Sequence, residues 1–184
     1  MLKGFNKIKK ELENLEDKRE EAIKNSRNII RLSKQIIYSV HRDNFKKARE
    51  QVEEINKKIK ELERNSYDTS IVDIAFQEYA EAICYYEFVK NNKLPDFKEL
   101  NIDVSNYLMG LCDLTGELVR KAVRDIIKRK YDEVIKIRDF VDDLHGEFLN
   151  FDLRNNELRR KSDSIKWNLK KLEDLALEVK TKGK

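Results

Sequence analysis

The sequence is short of almost everything that interrupts a helix. Among its 184 residues there is one proline, Pro95, and only five glycines. Strand-and-turn punctuation is therefore scarce, while the helix formers Lys, Glu, Leu, Ile and Arg dominate, so an all-α fold is expected. Cysteine is nearly absent too. Cys84 and Cys112 are too few for a disulfide framework, which fits a reducing cytoplasm. Long apolar runs are missing: charge breaks each one well before the 18 or so residues that a membrane span needs. The highly charged opening residues lack the apolar core of a secretory signal.

What the chain does have is charge, at 40% of residues, with hydrophobic residues making up another 40%. The net charge of +4 says little, but its distribution is uneven. Residues 1–34 hold 10 basic and 6 acidic side chains, residues 67–119 hold 3 and 10, and residues 154–184 hold 10 and 5. Basic ends around an acidic middle suit a polyanion gripped at the periphery and acted on at a cation-loving centre. Each basic end alone reads equally as the solvated face of an amphipathic helix.

Apolar positions recur at helical spacing over 3–40, narrowly at first (Ile8, Leu12, Leu15) and more broadly from Ile23 onward, so the start projects and the rest packs. Asp43 or Asn44 can cap a second helix over 45–64, followed by a turn at 65–70. Residues 71–90 are apolar or aromatic on almost every face, the mark of a buried helix. Further helices are expected over 103–128 with Asp103 or Ser105 at the cap, over 130–152 with a bend or interruption near Gly146, and over 156–180 after a break at 154–156. The last four residues should fray. The length suits one domain, residues 1–184.

Two of these helices carry acids among apolar neighbours. Glu78 and Glu81, at i and i+3, lie roughly 60° apart around one helix; Asp113 and Glu117, at i and i+4, lie roughly 40° apart on another. Carboxylates are seldom buried unless paired or bound to metal. Gly110 and Gly116 flank the second pair, and a helix-interior glycine, costing about 1 kcal/mol against alanine, usually lets something come close. Four converging carboxylates would offer the oxygen-rich pocket that Mg²⁺ or Mn²⁺ prefers. The same acids could instead pair with cations such as Arg120 or Arg124, and spacing alone favours that bland reading.

Other constellations are weaker. Cys84, Cys112, His41 and His145 lack any zinc-ligand spacing, no His follows a Glu by three residues as di-iron bundles require, and no glycine loop cradles phosphate. The tyrosines and Trp167 could stack bases, but aromatics at helical spacing are more often core. The clusters Lys9–Lys10, Lys18–Arg19 and Arg159–Arg160–Lys161 could hold phosphates or be plain surface.

Gln77-Glu78-Tyr79-Ala80-Glu81-Ala82 and Asp113-Leu114-Thr115-Gly116-Glu117-Leu118-Val119-Arg120 resemble the Q-E-Y-x-E-A and D-L-T-G-E-L-x-R segments of the Trax branch of the translin/Trax family. Asp103-Val104-Ser105-Asn106-Tyr107-Leu108-Met109-Gly110 resembles the D-V-x-D-Y-L-x-G element of both branches, and Leu158-Arg159-Arg160-Lys161-Ser162-Asp163 the L-R-K-R-x-D run of translin. With Asp17-Lys18-Arg19-Glu20-Glu21 near the front, the likeness spans nearly the whole chain. In two places the sequence departs. Translin's basic R-x-H-E-H-W-R segment is replaced by Ala75-Phe76-Gln77-Glu78-Tyr79-Ala80-Glu81, and the family's fifth-helix glycine is Glu147, with Gly146 one place early. The long acidic insertion of Trax is absent.

The resemblance implies a bundle of about six to seven helices that assembles into a hollow shell, usually an octamer. It implies an endoribonuclease that needs Mg²⁺ or Mn²⁺ and acts on single-stranded RNA, with single-stranded DNA a further ligand of the family. Glu78, Glu81, Asp113 and Glu117 match the catalytic and metal-binding acids, and Arg19 matches a nucleic-acid-binding arginine; Arg159, Arg160 and Lys161 would help grip the backbone. Two rivals stand beside this expectation: a non-catalytic translin-like binder of single-stranded RNA or DNA, and a helical scaffold whose basic ends meet partner proteins.

Overall fold

Six helices follow these periodicities in a computed structural model that describes residues 4–62, 70–154 and 157–182. They are α1 (Phe5–His41), α2 (Phe45–Glu61), α3 (Ser70–Asn91), α4 (Val104–Ile127), α5 (Tyr131–Leu149) and α6 (Glu157–Lys182). No strand occurs among the described residues, and none of the helices is long and apolar enough to cross a membrane.

The expected caps are in place where local chemistry sets them. Asn44 accepts from the Lys47 amide (3.2 Å) to start α2, and Asp103 accepts from the Asn106 amide (2.9 Å) to start α4. Ser105 lies inside α4. The α1–α2 turn is closed by Asp43 in the left-handed region, at φ 57°. Near Gly146 the expected interruption does not occur: α5 is helical from Tyr131 to Leu149, anchored on either side of the glycine by buried Val141, Leu144 and Phe148. The expected turn at 65–70 falls outside the described residues except for Ser70, which opens α3, as do residues 155–156 of the expected break and the last two of the tail.

Packing follows apolar content. α3, with eleven buried residues, lies against α1, α2 and α4; α4 also packs on α5 and α6. One cluster of buried side chains draws on all six helices, from Ala22 of α1 to Leu172 of α6. Cys84 and Cys112 are buried free thiols within it. Tyr79, Tyr85, Tyr86 and Tyr107 belong to the core as expected, whereas Trp167 is exposed. The first half of α1 behaves differently. Residues 4–21 are all exposed, including Phe5, Ile8, Leu12 and Leu15, so an apolar stripe runs along a helix that projects from the bundle.

Candidate active site

The acids are brought together by one glycine. A Cβ at Gly110 would lie 2.7 Å from both Ala80 Cβ and the Gln77 carbonyl oxygen, and 3.1 Å from the Glu81 nitrogen. α4 therefore crosses α3 so closely that only glycine fits at the contact, directly beside the residues bearing Glu78 and Glu81. Gly116 has no such role, since a Cβ there would meet only the Asn168 amide at 3.8 Å. Side-chain amides fix the register of the crossing. Asn106 donates to Asp103 (2.7 Å) and Asp73 (3.0 Å), and accepts from the Gln77 amide (2.9 Å).

Of the four, Glu81 is the most buried, 8% exposed. Burial, reinforced by the charges of Asp113, Glu78 and Glu117, pushes its carboxyl up to about 9. Burial also holds Glu78 and Asp113 above the usual carboxylate range, against the pull of Lys34 on the first and Lys161 on the second. For Glu117 burial acts in the same direction, but hydrogen bonds from His41 and Arg120 outweigh it and set the carboxyl below its ordinary value. All three neighbours act on Glu81, so the four acids share one electrostatic site. Glu78, Glu81 and Glu117 line a cleft of about 370 Å³ whose walls include His41, Tyr38, Lys34 and Arg120.

Side-chain cations hold three of the four. Lys161 of α6 pairs with Asp113 at 2.5 Å, Arg120 with Glu117 at 2.6 Å, and Lys34 of α1 with Glu78 at 3.6 Å. Glu117 is also gripped from behind. His41 Nε2 lies 2.5 Å from Glu117 Oε2 and donates to it, because a carboxylate can only accept. The buried Tyr85 hydroxyl lies 3.0 Å from the other ring nitrogen, and Arg124 donates to the His41 carbonyl (3.0 Å).

The structure thus brings Glu78, Glu81, Asp113, Glu117 and Lys161 to one place. Lys161 turns inward to Asp113, while Arg159 and Arg160 are exposed at the start of α6. Arg19 lies on the projecting half of α1, about 22 Å along the helix axis from Lys34, and pairs with Glu16 at 3.6 Å. His41, Tyr85 and Lys34 were not foreseen at the site. Of these, Lys34 alone carries a sequence signal, a lysine on the exposed face of α1, and that signal is shared with many surface lysines.

In outline, this is an all-helical protein with a part-buried carboxylate cluster ringed by basic side chains. Its sequence matches the profile of the translin family over residues 17–183, and the chain belongs to that family. It is 35% identical over 169 residues to an uncharacterised protein of Methanocaldococcus jannaschii, an overlap covering 87% of this chain and 75% of that one. It is 26% identical over 166 residues to the translin-associated protein X homologue of Schizosaccharomyces pombe, covering 79% and 71%. Human translin matches at 30% over 86 residues, covering 47% of this chain and 38% of translin. Among solved structures, apo-NeC3PO superposes with a TM-score of 0.90 at 32% identity, covering 96% of this chain and 97% of that one. A complex of AfC3PO with duplex RNA superposes at 0.85 with 21% identity, covering 96% of each, a likeness of fold.

Proposed function

We propose that the chain is a Mg²⁺- or Mn²⁺-dependent endoribonuclease that cuts single-stranded RNA inside a cytoplasmic homo-oligomeric shell, an octamer by analogy with the family. One observation carries this reading: Glu81 is buried in a cleft it shares with Glu78 and Glu117, where burial and the charges of Asp113, Glu78 and Glu117 push its carboxyl up to about 9. Membership of the translin family supports nucleic-acid binding, and the S. pombe relative supports the Trax-like branch.

The donor set suits a hard divalent ion in charge and in ligand type. It is not yet closed around one: among the described residues no group of three or more His, Cys, Asp or Glu is arranged to hold a metal. Glu78, Glu81, Asp113 and Glu117 would hold the ion, Glu81 giving its proton to solvent. Bound there, Mg²⁺ or Mn²⁺ would lower the pKa of a water and stabilise charge in an in-line phosphodiester displacement. His41, 3% exposed, keeps hold of Glu117 Oε2 and fixes the carboxylate plane. Arg120 is 60% exposed in its side chain and can swing away from Oε1. Once released from the acids, Arg120, Lys34 and Lys161 stand ready to receive the phosphates.

The test is cleavage of single-stranded RNA in Mn²⁺ by Glu117→Ala and Asp113→Ala. Each should cut at least ~100-fold more slowly than wild type, because the loss of a partner around a bound metal typically costs 10–100-fold and a direct ligand more. Variants that cut as fast as wild type would sink the assignment. A second reading, a translin-like binder whose acids are a structural ion-pair cluster, draws on the three ion pairs already present. It expects salt-sensitive binding and no cleavage with any metal.

A further inference from the structure

A second cleft adjoins the carboxylates. It is a groove of about 620 Å³ between α1 and α2, lined by Arg27, Arg31, Lys34, Tyr38 and Lys47, with Ile30 in its wall. Four of its lining residues are basic and none is acidic, in a chain with 35 acidic side chains. The groove and the cleft that holds Glu78, Glu81 and Glu117 share Lys34 and Tyr38, so the two lie side by side along α1.

Two features make this more than solvated surface. Two exposed arginines outside the groove sit in ion pairs, Arg19 with Glu16 (3.6 Å) and Arg49 with Glu53 (3.0 Å), while Arg42 beside it bonds to Tyr38. Among the described residues, Arg27, Arg31 and Lys47 form no ion pair, and all three line the groove. Tyr38, at the junction, is 60% exposed, which is unusual beside the buried tyrosines of the core. Arg42 lies over its ring at 5.4 Å and donates to its hydroxyl (3.0 Å), holding a flat aromatic surface in place. A row of cations leading to an exposed ring is what an unpaired nucleic-acid strand uses: phosphates on the cations, a base on the ring. Arg27, Arg31, Lys34 and Tyr38 are spaced at i, i+4, i+7 and i+11, one straight stripe about 16 Å long on α1.

We propose that this groove is the track by which single-stranded RNA enters the carboxylate cluster, its phosphates on Arg27, Arg31 and Lys34 and one base stacked on Tyr38. The choice of RNA as occupant rests on the function proposed above. Lys34 has a double role, since it pairs with Glu78 and also lines the groove. A phosphate arriving on Lys34 loosens that pair at the moment the substrate reaches the acids.

The test measures binding of a dye-labelled oligouridylate to the full chain, in EDTA, across a series of KCl concentrations. Each lost phosphate contact lowers the slope of log K against log salt by about 0.7 for a single strand. Arg27→Gln with Arg31→Gln should flatten the slope by about 1.4, on the same basis of two contacts. Arg27→Lys with Arg31→Lys should restore it. Tyr38→Ala should weaken binding about tenfold with the slope unchanged, as expected for a stacked base. Arg49→Gln, on a paired arginine outside the groove, should change neither. A wild-type slope in the doubly neutralised variant overturns the proposal. If that variant keeps the slope but changes its elution on gel filtration, the groove seats a second copy of the chain instead. Binding in EDTA involves no cleavage, so the two readings fail separately. A protein that binds through the groove yet never cuts overturns the nuclease alone, and one that cuts with an unchanged slope overturns the groove alone.

Discussion

Glu81 is where folding and function oppose each other. In the folded chain its carboxyl holds a proton up to about pH 9, against an ordinary value of 4.5. Between those two values the folded state binds more protons than the unfolded one, so stability falls as pH rises through that window. The contribution is intact below the lower value and lost above the upper. Glu81→Gln, which never ionises, should therefore melt higher than wild type in EDTA, by a margin that widens from pH 5 to pH 9. A margin equal at both ends would contradict the burial argument. The two glycines of α4 offer a second contrast at this scale. Gly110→Ala should destabilise by about 1–3 kcal/mol, as overpacking does, although alanine is the better helix former. Gly116→Ala, with room for its methyl, should be neutral or gain up to about 1 kcal/mol. Denaturant midpoints would separate the two.

At the scale of the helix, the sequence was legible wherever geometry is local. Asn44 and Asp103 cap as expected because an N-cap needs only its own third neighbour. The acid pairs could be read because i, i+3 and i, i+4 spacings force a shared face. Gly110 announced a close approach, but the same argument applied to Gly116, and only the tertiary fold tells them apart. At Gly146 the expected interruption does not occur. Its cost of about 1 kcal/mol is small beside the burial of Val141, Leu144 and Phe148, and the helix continues. The hold of His41 on Glu117 could not be read at all, because 76 residues separate them and no periodicity spans that distance. Lys161 looked like one of three surface cations; a rotation of about 100° per residue along α6 turns it inward, away from Arg159 and Arg160.

At the scale of the whole molecule, the uneven charge takes physical form as a groove lined by four basic residues beside a cleft lined by three of the acids. The projecting half of α1 has the opposite character. Its exposed Ile8, Leu12 and Leu15 repeat on one face and find no cover within the bundle. On the shell reading this stripe meets another copy. Leu12→Glu with Leu15→Glu should then break the assembly into smaller species, read as mass by light scattering, while each chain stays helical by circular dichroism. An unchanged mass would place the contact elsewhere.

A helix that finishes its packing only against a neighbour ties the survival of one copy to the presence of others. Stability then becomes a question of how many molecules share the solution. The melting temperature should climb with protein concentration, and dilution alone should loosen what heat would otherwise be needed to undo.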